Sequence, residues 1–107
     1  MTKKKISSSK SLTKEQACKI FKAAFVCGTV IYTNHSKERM MEYEVDANDL
    51  LALSKSGFVL NSPELHPKTG AWNYRIEHPT ETLKVVFEVI DKKKIKIRLI
   101  TVIGNNQ

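Results

Sequence analysis

The chain of 107 residues has little of several things that would narrow its function at once. It has two cysteines, and the Cys18–Cys27 spacing matches neither a zinc site nor a C-x-x-C redox motif. Cys18 falls within a helical pattern and Cys27 near its end, which fits structural thiols of a reducing compartment. Its three histidines, His35, His66 and His78, are scattered, with no pair at short ligand spacing, so neither a metal nor another cofactor is expected. No run approaches 18 apolar residues, which excludes a membrane-spanning helix. The opening "MTKKKISSSKSL" carries lysines but no apolar stretch behind them, so it is no signal peptide, and a cytoplasmic protein is expected.

Acidic residues are missing from one end. Residues 1–14 hold Lys3, Lys4, Lys5, Lys10 and Lys14 and no acidic residue. The net charge of +7 is therefore mostly local: taking those five lysines from the 18 basic residues leaves 13 against 11 acidic. A lysine-rich end can hold polyanions, but it is not a basic folded surface. Residues 1–12, rich in Ser and Lys, read as a disordered tail, and 13–107 as one domain.

Within that domain, Thr13-Lys-Glu-Gln16 has the form of a capping box. Ala17, Ile20, Phe21, Ala24 and Phe25 follow at helical spacing up to Gly28. Val30–Tyr32 reads as a short extended link. A second helix runs from about His35 to Tyr43, capped by Thr33 or Asn34. A third is capped by Asp46, carries Leu50, Leu51 and Leu53, and ends at Gly57.

From Phe58 the period becomes two. "FVLNSPEL" reads as a strand entering a Pro-marked loop. "AWNYRIE" alternates with Trp72, Tyr74 and Ile76 on one face. "TLKVVFEVI" reads as a central strand, "DKKK" as a turn, and "IKIRLITVI" as a last strand that alternates and then turns continuously apolar. The expected fold is α+β: two to three N-terminal helices on one face of a four-stranded antiparallel sheet, whose other face is open.

Candidate chemistry centres on "YTNHSKERMM". His35 and Arg39 stand four apart, hence on one helix face. An imidazole exchanges a proton near neutral pH, and a guanidinium grips a phosphate with two hydrogen bonds. The positive end of the helix dipole disfavours an imidazolium at the helix start, which suits a base. Together they are the minimum equipment for metal-free RNA cleavage. The competing reading is a solvated helix face.

Arginine is scarce, 3 against 15 lysines, so each arginine raises the question of what needs a planar fork. Arg75 fits an anion clamp or a cross-strand pair with Glu88. Thr101 fits a phosphate contact or a β-branched strand former. Trp72 and Tyr74 fit the core face better than base-stacking platforms. Lys94, Lys96 and Arg98 share a side of the last strand as a phosphate-tracking stripe, or as lysines guarding an edge strand.

The segments His35-x-x-x-Arg39-Met40, Tyr74-Arg75-Ile76 and Ile100-Thr101-Val102, spread over residues 30–104, resemble a bacterial family of small domains allied to the RelE/MqsR-like toxin superfamily. That resemblance implies helices followed by a four-stranded antiparallel sheet and a metal-free endoribonuclease acting through His35, Arg39, Arg75 and Thr101. It also implies RNA as substrate and a cognate antitoxin or immunity protein as partner. The sequence departs from the pattern at Tyr43-Glu44, where related chains carry a basic residue and a glycine. This removes a charge and a permissive turn residue, and it favours the alternative of a noncatalytic nucleic-acid- or protein-binding module.

Overall fold

The computed structural model describes residues 11–104. The N-terminal tail expected over 1–12 thus lies outside the described residues except for its last two. There the expectation needs correcting, because Leu12 is half-buried against the core and its N–H donates to the Tyr74 hydroxyl at 2.9 Å.

The fold is α+β. Helix α1 (Lys14–Cys27) begins at Thr13, whose hydroxyl accepts from Gln16 N while the Gln16 side chain accepts from Thr13 N. This closes the capping box read from the sequence. Its Ala17, Phe21 and Ala24 are buried. Strand β1 (Thr29–Tyr32) leads into helix α2 (Asn34–Tyr43), capped by Thr33. Helix α3 (Ala47–Ser56) is capped by Asp46 in a reciprocal box with Asp49, and it buries Leu50 and Leu53. Strands β2 (Phe58–Val59), β3 (Glu64–Leu65), β4 (Trp72–Glu77), β5 (Lys84–Asp91) and β6 (Lys96–Ile103) complete the chain order.

The sheet corrects the expectation of four antiparallel strands. Six strands run in the order β1-β6-β5-β4-β2, with β3 also on β4. The β4-β5-β6 meander is antiparallel as expected, but β1 pairs with β6 in parallel, Thr29 beside Lys96 through Tyr32 beside Leu99. Val30–Tyr32 is therefore a strand and not a link. "FVLNSPEL" is not one strand but two short ones, because the chain leaves the sheet between Val59 and Glu64.

The helical layer covers the face that carries Tyr74, Ile76, Val85, Phe87, Ile97, Leu99 and Val102, all buried. Phe21 meets the Phe87 ring at a centroid distance of 4.8 Å, joining α1 to the sheet. The opposite face carries Asn73, Arg75, Lys84, Val86, Glu88, Lys96, Arg98 and Thr101 in register.

A bulge in β6 decides which way Thr101 faces. Val86 stands beside Thr101 but Phe87 beside Leu99, so Ile100 is an extra residue. Strict alternation from Ile97 and Leu99 would send Thr101 into the core. The bulge turns it outward and puts Val102 inward instead.

Candidate functional site

Helix α2 takes over the flank of β6 where β1 stops. The Thr33 hydroxyl donates to Leu99 O at 2.8 Å and accepts from Ser36 N at 3.1 Å, so one side chain caps the helix and ties it to the strand. At the other end, Tyr43 and Val45 lie against Gly104. The helix therefore runs beside residues 100–104, with its first turn next to Thr101.

The rotation of α2 follows from burial. Ser36 is fully buried and Met40 packs against the core. At 3.6 residues per turn, Met40 lies about 40° from Ser36 towards the core side, while His35 and Arg39 lie about 100° and 60° to the other side. Arg39 thus lies on the side of α2 that turns towards the rest of the fold, and His35 at its exposed margin. His35 is exposed and Arg39 half-buried. The Arg39 guanidinium is bonded to Glu42 one turn on. Such exposed pairs are worth little, so an incoming phosphate can displace the carboxylate cheaply.

Across the sheet, Arg75, Val86 and Thr101 occupy one cross-strand row on the open face. Arg75 and Thr101 are two strand spacings apart, roughly 10 Å. Val86 lies between them as a low apolar floor, and the row continues towards the first turn of α2. The sheet register thus puts Arg75 and Thr101, two of the four residues singled out from the sequence, on one face, while His35 and Arg39 stand on α2, whose cap is tied to β6 at Leu99.

Arg75 does not pair with Glu88, contrary to one expectation. Glu88, only 8% exposed, is held by Arg98 Nη1 at 2.6 Å. Among the described residues Arg75 has no ion pair, whereas Arg39 and Arg98 each have one. The basic stripe is corrected too. Lys94 sits in the β5–β6 turn, where its N–H and that of Lys93 donate to Asp91 Oδ1, and only Lys96 and Arg98 lie on the strand face. Moreover, β6 is an interior strand, so guarding an exposed edge does not explain Lys96.

Beyond Arg75 the sheet edge is interrupted. Strand β2 pairs with Ile76 and Glu77, and β3 with Trp72 and Asn73, leaving Arg75 without a strand partner on that side. A pocket of about 130 Å³ occupies the gap, lined by Asn61, Ser62, Glu64, Asn73, Arg75 and Val86 among others. These loop residues are not among the candidates from the sequence, where "FVLNSPEL" reads as a strand entering a Pro-marked loop; an amide and a hydroxyl residue close to a carboxylate were the available signal. Burial raises the Tyr32 and Tyr74 phenols above their ordinary value, and the Leu12 N–H partly offsets it at Tyr74. No group of three or more His, Cys, Asp or Glu residues that could hold a metal occurs among the described residues, and no described helix is long and apolar enough to cross a membrane.

Compared with protein-family profiles, curated proteins and solved structures, the chain matches none of them.

Proposed function

We propose that the open sheet face is an anion site for RNA, and that the protein is a small metal-free endoribonuclease of the RelE-like kind. The observation that supports this reading is the cross-strand row of Arg75, Val86 and Thr101 on the open face, with Arg75 the one arginine lacking a carboxylate partner among the described residues. In the proposed reaction His35 accepts the proton of a ribose 2′-hydroxyl as its oxygen attacks the adjacent phosphorus. The bond to the 5′-oxygen breaks, and that oxygen takes a proton from solvent, leaving a 2′,3′-cyclic phosphate and a 5′-hydroxyl. Arg39 and Arg75 hold the non-bridging oxygens as charge develops, and the Thr101 hydroxyl adds a polar contact. Lys96 lies on the same face to track the strand. An antitoxin or immunity protein would cover this face.

The test is cleavage of bulk RNA by purified protein in the presence of a chelator. His35→Ala is expected to lower the rate by about 10²–10⁴-fold, the range of a lost general base. Arg75→Ala is expected to weaken phosphate binding and cleavage, with Arg75→Lys restoring only part because the two-pronged grip is lost. Equal rates for wild type and both alanine variants would remove the enzyme reading.

A second reading is favoured by Glu44, which places a carboxylate at the turn closing α2. Under it the same face binds RNA or protein without chemistry. Salt-sensitive RNA binding without cleavage would establish it.

A further inference from the structure

The pocket beside Arg75 supports a more specific statement than phosphate binding. Its volume, about 130 Å³, is well below the roughly 300–1,000 Å³ of a site for a whole small molecule. It can hold one heterocycle of a longer ligand.

The lining has a defined polarity. Glu64 stands beside Asn73 in the register of β3 and β4, so both side chains point to the open face with Arg75. Glu64 contributes a carboxylate with no ion pair among the described residues. The main chain of Arg75 faces the same gap. On β4 the even-numbered positions bond towards β5, as His78 N does to Leu83 O, and the odd ones towards the edge, as Ala71 O does from His66 N. Arg75 is odd, and neither β2 nor β3 reaches it, so its N–H and C=O are directed to where Asn61 and Ser62 bow away.

A ligand edge complementary to this lining offers two adjacent N–H donors to a carboxylate and an acceptor to a neighbouring N–H or amide. Among the nucleobases guanine has that edge: N1–H and the 2-amino group side by side, with O6 next to them. Adenine and cytosine offer one amino group beside an acceptor, and uracil a single N–H. We infer that the gap between β2 and β3 is a guanine-reading subsite, with Glu64 as its selective contact. This deepens the reading above, since Arg75 joins the subsite to the proposed phosphate site.

The experiment is a titration of the full ¹⁵N-labelled chain with guanosine, adenosine, cytidine and uridine 3′-monophosphates, and with inorganic phosphate. None of these is cleaved, so the result is independent of activity. Guanosine 3′-monophosphate is expected to bind about tenfold or more tighter than the other three, the discrimination of one good two-pronged base contact. Its shifts should fall on residues 61–64, 73 and 75. Glu64→Gln, at an exposed position, should erase the preference without weakening phosphate binding. Equal affinity for the four nucleotides, shifts elsewhere, or a preference that survives Glu64→Gln would overturn the inference. Selective binding by a protein that cleaves nothing would keep the subsite and discard the ribonuclease.

Discussion

Replacing Glu44 with glycine should stabilise the protein, and the size of the gain can be worked from the geometry. Glu44 closes α2 at φ 58° and ψ 45°, in the left-handed region, with its N–H donating to Met41 O at 3.2 Å. A side chain there costs roughly 1–2 kcal/mol, which glycine avoids. The helix also ends with no basic residue in its last turn, so a carboxylate beside the free carbonyls costs a further few tenths of a kcal/mol. Against this, glycine makes the unfolded chain more flexible, at roughly 0.5–1 kcal/mol. The net expectation is a gain of about 1 kcal/mol, or roughly 4–8 °C in midpoint for a domain of this size. Urea and thermal unfolding followed by circular dichroism would measure it. Glu44→Lys separates the terms, because it relieves the dipole but keeps the backbone cost, and should gain only about 0.3 kcal/mol. A glycine variant no more stable than the lysine variant would refute the strain argument.

Other expectations rest on single contacts. Gly28→Ala should destabilise by about 3 kcal/mol in urea unfolding, since an added Cβ would collide with the Ile95 carbonyl oxygen and backbone must move. Thr33→Val should cost about 2 kcal/mol through loss of the cap and of the tie to Leu99, and it should loosen the first turn of α2 in amide exchange. Stability should also fall at alkaline pH. Tyr32 and Tyr74 have phenol pKa values raised by burial, so their contribution is intact below the ordinary value of about 10 and is lost as pH climbs through the raised values in the fold. Tyr74→Phe should flatten that decline in pH-dependent unfolding while costing about 1 kcal/mol at neutral pH, because Leu12 N loses its acceptor.

Local signals carried the helices and nothing non-local. The Thr13–Gln16 and Asp46–Asp49 boxes and the glycines after α1 and α3 are written in a few adjacent residues, and they set those ends. The period of two in β4 and β5 gave the meander. Strand β1 escaped because four residues show no clear alternation, and their partner lies at the other end of the chain. Glu88 and Arg98 escaped as a pair for a similar reason: cross-strand pairing depends on register, and the bulges of β5 and β6 shift it. His35, Arg39 and Arg75 were legible as scarce residue types at suggestive spacing. That Arg75 shares its face with Thr101 was not, because it depends on the bulge at Ile100.

Two departures from regular structure build this face. A six-stranded sheet of unbroken strands would give Arg75 a neighbour on the edge side and would bury Thr101. Instead, the chain leaves the sheet between β2 and β3, opening a pocket beside Arg75, and Ile100 bulges, turning Thr101 out onto the same row. Neither change improves the core: the gap leaves an edge unpaired, and the bulge disturbs the ladder. Their joint effect is to furnish one side of the sheet with a guanidinium, a hydroxyl and a recess. A purely structural origin would need each irregularity to relieve some local strain. The test is to fill the gap: shortening the 60–63 loop so that β2 and β3 join should raise stability if the opening is only a defect of folding. If the opening serves ligand binding, the shortened loop should abolish nucleotide binding whether or not stability rises.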